Sequence, residues 1–167
     1  MHFALIAGEA SGDLLGGALI PALRARFPDA RFSGVTGPRM RAAGCETIAS
    51  IDRLSVMGIA EVLPKLPDLF RLRAELIATL SADRPDVVIG LGGYISFPAG
   101  MMSVLLGRPL VLHEQNSVAG MANKVLARVA DRVFTAFPRV FAKGQCVGNP
   151  LRAEFLNQAE PQMRFAG

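Results

Sequence analysis

The sequence has no tryptophan and a single tyrosine. It therefore lacks the aromatic platforms on which single-stranded nucleic acids stack. Only 19% of its residues are charged, and the net charge is +4. Residues 1–85 carry 10 Lys/Arg against 9 Asp/Glu, and residues 86–167 carry 8 against 5. So mild and dispersed an excess leaves no nucleic-acid footprint, and it fits a surface facing phosphates or anionic lipid. The two cysteines, Cys45 and Cys146, have no metal-ligand spacing and read as reduced thiols of a cytosolic protein. Met1-His2-Phe3 leads directly into a strand pattern, without the basic and apolar regions of a signal peptide. The dinucleotide fingerprint G-x-G-x-x-G is missing, which speaks against NAD; no cofactor and no metal are expected. Val87 to Gly107 holds no charge and is long enough to span a bilayer. It is broken by Gly90, Gly92, Gly93, Pro98 and Gly100, and lipid does not tolerate exposed irregular backbone.

What is present is an alternation of short apolar runs and helical periodicities. Phe3–Ala7, Arg31–Val35, Glu46–Ser50, Asp86–Ile89, Leu110–His113, Arg132–Ala136 and Cys146–Gly148 read as strands. Helical patterns lie between them, over 14–27, from Gly37, over 57–80, 98–106 and 118–129. Ser11 is placed as an N-cap, with Asp13 in the first turn. Val118, Met121, Ala122, Val125, Leu126 and Val129 make one helical stripe. The order β-α-β-α predicts one α/β domain: a doubly wound, Rossmann-like parallel sheet with helices on both faces. Ligands of such sheets bind outside the C-terminal strand ends, at the switch point between strands one and four. The loops at 8–13, 92–97 and 113–117 all follow strands and should share that rim.

The stretch 86–100 concentrates the signal. A β-branched strand turns through Gly92-Gly93-Tyr94 into a helix start at Phe97-Pro98, which points free N–H groups and a helix dipole at one spot. The glycines make either a tight connection or a phosphate cradle.

Two families are matched by longer motifs. Ala7-Gly8-Glu9-Ala10-Ser11-Gly12-Asp13, Gly37-Pro38-Arg39-Met40, Val56-Met57-Gly58-Ile59-Ala60-Glu61-Val62-Leu63 and Arg84-Pro85-Asp86-Val87 resemble lipid-A-disaccharide synthase. Gly92-Gly93-Tyr94-Ile95-Ser96, Leu112-His113-Glu114-Gln115-Asn116, Ala119-Gly120-Met121-Ala122-Asn123-Lys124, Ala136-Phe137-Pro138 and Val147-Gly148-Asn149-Pro150-Leu151-Arg152 resemble the peptidoglycan N-acetylglucosaminyltransferase that glycosylates lipid I. The pairing implies an engineered hybrid joined near residue 85. Residues 1–85 are disaccharide-synthase-like, 86–154 transferase-like, and 155–167 a linker.

Both resemblances imply the GT-B architecture, in which the N-terminal half takes the lipid-linked sugar acceptor and a second domain holds the UDP-sugar. The resemblance makes the partner a lipid-linked sugar diphosphate, at the inner face of the plasma membrane. The surface Leu63–Phe70–Ile77 with Lys65, Arg71 and Arg73 is the candidate membrane contact. Gly8, Ser11, Gly12, Gly92, Gly93, Tyr94, Ser96, His113, Gln115, Asn116 and Asn123 are the implied acceptor and phosphate contacts. Asp13 and Glu114 are the candidate catalytic carboxylates. Each has a plainer reading, Asp13 as a first-turn residue and Glu114 as a cap of the next helix. A His expected of the lipid I enzyme is Asp13 here, and the acidic residues that the disaccharide synthase carries after strand four are absent. No turnover is expected of these 167 residues alone. The alternatives are a stand-alone nucleotide- or anion-binding module and a structural recombination scaffold.

Overall fold

The computed structural model describes residues 1–53, 71, 74–93 and 95–149. Its strands are β1 (His2–Ile6), β2 (Arg31–Thr36), β3 (Glu46–Ser50), β4 (Val87–Gly90), β5 (Leu110–Glu114), β6 (Arg132–Thr135) and β7 (Gln145–Cys146). The helices are α1 (Ala10–Arg26), α2 (Pro38–Ala42), α3 (ending over 74–83), α4 (Ser96–Leu105) and α5 (Met121–Val129). All seven strands form one sheet, in the order β3-β2-β1-β4-β5-β6-β7, and every pairing is parallel. The order reverses between β1 and β4, the switch point expected of this topology.

The central strands are apolar on both faces because helices can cover both. Leu5, Ile6, Val88, Leu110 and Leu112 are at most 1% exposed. Each such side chain contributes on the order of 1.5–3 kcal/mol on burial. At the start of the sheet Phe3 stacks on Phe32, ring centroids 5.5 Å apart. Strand starts are sealed by aspartates: Asp86 accepts from His2 N at 2.7 Å, and Asp131 from Leu110 N at 2.8 Å.

Three local expectations are corrected. Helix α1 begins at Ala10 with Glu9 as N-cap and no side-chain capping bond, so Ser11 lies inside the first turn. Helix α5 begins at Met121, not Val118. Its apolar stripe is also split: Leu126 is fully buried, whereas Val118 and Met121 are 74% and 84% exposed. The uncharged stretch 87–107 folds as β4, a glycine turn and the ten-residue α4. Among the described residues no helix is long and apolar enough to cross a membrane. The expected helix start at residues 57–70, most of the candidate membrane surface, Tyr94 and the 155–167 linker lie outside the described residues.

Candidate acceptor-side rim

Three loops leave the C-terminal ends of the adjacent strands β1, β4 and β5, and they meet. The first two interlock through glycine. Gly8 N donates to Gly92 O at 3.0 Å. A Cβ on Gly8 would sit 2.8 Å from Gly93 Cα, and one on Gly93 would sit 2.6 Å from Gly8 Cα. Gly92 and Gly93 have φ of +90° and +83°, a region glycine enters without steric cost. Gly12 is as tightly fitted, since its Cβ would come 2.8 Å from Leu91 O. The third loop arrives through Gln115, whose Nε2 donates to Leu91 O at 2.6 Å and reaches His113 O at 3.4 Å.

The amides at this rim divide into used and open. Gly8 N is occupied by Gly92 O, so Gly8 shapes the rim and offers no amide of its own. Ser96 is buried; its Oγ donates to Gly92 O at 2.7 Å, and its N donates to Gly93 O at 3.1 Å. Ser96 thus closes the turn from within. The first α1 amide with a described carbonyl is Asp13 N, bonded to Glu9 O at 3.1 Å. Those of Ala10, Ser11 and Gly12 stand at the positive end of a 17-residue helix. Exposed Ser11 sits among them.

The two carboxylates are otherwise engaged. Asp13 is 2% exposed and accepts from Gly37 N at 2.8 Å, Arg39 N at 2.9 Å and Met40 N at 3.0 Å. It caps α2, not its own helix. Glu114 is 1% exposed. Its Oε1 accepts from Asn116 N at 3.0 Å and Asn116 Nδ2 at 3.1 Å. Its Oε2 accepts from Asn123 Nδ2 at 2.8 Å and Gly120 N at 3.3 Å. Both carboxylates are buried and hold N–H groups of neighbouring loops, which gives each a structural task. Glu114 folds the loop 115–120 onto the start of α5. The sequence suggested capping for both, but not which helix Asp13 would cap.

His113 and Glu114 are neighbours on a strand, so they point to opposite faces. His113 Nε2 bonds Gly148 O at 3.1 Å, and no described group bonds its Nδ1. It lines an apolar cavity of about 630 Å³ with Phe3, Leu19, Ile89 and Phe134. That cavity lies on the sheet face beneath α1, and Leu15, Leu91 and Asn149 also line it. Among the described residues no hydrogen bond joins His113 to Gly92, Gly93 or Ser11, whereas Gln115 two residues on bonds Leu91 O. Asn116 is exposed at the rim's edge, and Asn123 is buried with its Oδ1 without a described partner.

This switch-point rim on a wholly parallel sheet defines a Rossmann-like domain of the GT-B type. The Acinetobacter baumannii MurG crystal structure superposes with a TM-score of 0.69, at 23% identity, over 96% of this chain and 50% of that one. A glycosyltransferase of kitacinnamycin gives 0.62, at 19% identity, over 90% and 52%. Likeness at these identities shows the fold alone. Residues 3–97 match the lipid-A-disaccharide synthetase model; that is more than half of the chain, which belongs to this family.

The chain is also similar to the UDP-N-acetylglucosamine--N-acetylmuramyl-(pentapeptide) pyrophosphoryl-undecaprenol N-acetylglucosamine transferases. It is 48% identical to that of Paracidovorax citrulli, over 98% of this chain and 48% of the relative. With that of Albidiferax ferrireducens it shares 48% over all of this chain and 38% of the relative. A Polaromonas relative is 76% identical over 50% of this chain and 22% of its own length. The chain thus spans less than half the length of these relatives.

Proposed function

We propose that the chain is the acceptor side of a glycosyltransferase that moves N-acetylglucosamine from a UDP donor to a polyprenyl-diphosphate-linked sugar. The glycine rim takes the acceptor's diphosphate. The observation that carries this reading is the interlocked Gly8–Gly93 contact. It places the start of α1 and the β4–α4 turn side by side, and a diphosphate needs two such donor groups at once. The relatives' names supply the chemistry, since both their donor and their acceptor carry diphosphate. In this reading Ser11, Gly12, Gly92 and Gly93 face the phosphates. Gln115 and Asn116 border the sugar, and Asp13, Glu114 and Asn123 act through the loops they hold. The acceptor hydroxyl attacks the donor's anomeric carbon, the bond from that carbon to UDP breaks and UDP leaves, and the hydroxyl proton passes to a base other than Asp13 and Glu114 in their present bonds. The place of action is the cytoplasmic face of the membrane.

The two-part origin belongs to the same proposal. Identity falls from 76% over 84 residues to 60% over 119 and 48% over 169 as the match to different relatives lengthens. The family model of the synthetases covers 3–97. The synthetase match over 3–97 supports a synthetase-like first half, while the 48% identity to the transferases over 98–100% of the chain carries the transferase likeness through both halves.

The test is thermal unfolding with farnesyl diphosphate, UDP and NADH. A ligand held only by the native state at about 100 times its Kd adds roughly 2.7 kcal/mol. Farnesyl diphosphate is expected to raise the midpoint, and Gly93→Val to abolish that rise. A rise with NADH alone would overturn the reading. Transfer from UDP-N-acetylglucosamine by the isolated chain would overturn the expectation that it does not turn over by itself.

A further inference from the structure

We propose that Gln115 is a positioning residue: its side-chain amide turns the Leu91–Gly92 peptide so that the Gly92 N–H faces the rim. The proposal rests on the rim's being the diphosphate site.

Three consecutive carbonyls in the β4–α4 turn are held from inside. Leu91 O accepts from Gln115 Nε2 at 2.6 Å. Gly92 O accepts from Gly8 N at 3.0 Å and Ser96 Oγ at 2.7 Å. Gly93 O accepts from Ser96 N at 3.1 Å. In a trans peptide the C=O and the following N–H point in opposite directions. Holding the Leu91 and Gly92 carbonyls inward therefore turns the N–H groups of Gly92 and Gly93 outward. No described group accepts from either.

Of these inward donors, Gln115 alone reaches across from another strand by its side chain. Its amide orientation is fixed by chemistry, because Leu91 O and His113 O both lie on the Nε2 side and both only accept. Its Oε1 lies 3.0 Å from where a Gly92 Cβ would be, so the side chain lies against the turn. Its own carbonyl accepts from Asn149 Nδ2 at 3.3 Å. One residue thus links the glycine turn to the segment that follows β7.

The experiment uses the whole 167-residue chain, labelled with nitrogen-15, as wild type, Gln115→Glu and Gln115→Leu. Glu keeps the shape but donates only when protonated; Leu never donates. The readouts are the Gly92 and Gly93 amide shifts and farnesyl diphosphate affinity relative to wild type at each pH, from about pH 3.5 to about pH 8, a range that spans the ordinary glutamate titration near about 4.3. Loss of one hydrogen bond predicts about tenfold weaker binding for Gln115→Leu at every pH. Gln115→Glu should match that loss at the upper end and recover toward wild type as its carboxyl protonates, with the Gly92 shift following the same titration. A purely structural defect would lower the melting point without such recovery. Wild-type affinity in both variants, or unmoved glycine shifts, overturns the assignment. If the wild-type chain binds no diphosphate, the reading of the site fails instead. The glycine shifts then still decide Gln115's role: movement that titrates supports it and static shifts overturn it.

Discussion

Replacing Gly93 by alanine isolates the contact on which the rim depends. The substitution puts a Cβ 2.6 Å from Gly8 Cα and 3.0 Å from Gly8 C. Those are backbone atoms, which no rotamer change can clear. It also holds a non-glycine residue at φ +83°, worth about 1–2 kcal/mol of strain. If the loops part to admit the methyl group, the Gly8 N to Gly92 O bond is lost as well, about 1 kcal/mol more. The total is roughly 2–4 kcal/mol, or a fall of about 5–15 °C in Tm for a domain of this size.

Two other glycines serve as controls in the same calorimetric experiment. Gly107 has φ +64° with nothing within 4 Å of its Cβ position, so Gly107→Ala carries strain alone, about 1 kcal/mol. Gly120 has φ −64° and ψ 156° with equally open surroundings, so Gly120→Ala should stay within about 0.5 kcal/mol of wild type. The expected order of Tm, highest first, is Gly120→Ala, then Gly107→Ala, then Gly93→Ala. If Gly93→Ala melts with Gly107→Ala, the two loops do not press together and the rim is not a single surface.

Asp13→Ala removes the acceptor of three α2 amides and should cost about 2–4 kcal/mol in denaturant unfolding; a loss under about 0.5 kcal/mol would refute the cap. Glu114→Gln keeps the shape but turns an NH₂ toward one of two donor pairs. About 2–3 kcal/mol should be lost, and unchanged Tm would mean the loop 115–120 is held otherwise. Burial above all, with the Glu46 and Asp13 charges outweighing Arg24, pushes the Cys45 thiol up to about 12. A thiol reagent at about pH 8 should therefore label exposed Cys146 and spare Cys45 until the chain unfolds; equal labelling rates would contradict this. Because an unfolded thiol ionises near about 8.5, stability should fall as pH rises from there toward about 12, by up to ~1.4 kcal/mol per pH unit. A flat alkaline limb in pH-dependent unfolding would speak against it.

Much of the architecture was legible in the chain itself. Strand patterns that alternate with helical spacing over most of the chain point to a parallel sheet, because helices on both faces can bury central strands that are apolar on both faces. The switch point and the shared rim follow from that topology with no further information. Helix limits were less legible: Val118 and Met121 fit the periodicity of α5, yet they stand in solvent, since a stripe says which residues share a face and not what covers it.

The roles of the polar residues were decided only in three dimensions. Asp13 finds its donors 24 to 27 positions away, and Gln115 finds Leu91 24 positions back. His113 and Glu114 come from one motif but go to opposite faces of the sheet. The sequence determined which side chains lie at strand ends, because hydrophobic burial is read position by position along a chain. Which amide or carbonyl each of them meets depended on how the loops of neighbouring strands pack, and hydrogen bonds act only over a few ångströms between segments that the linear order keeps apart.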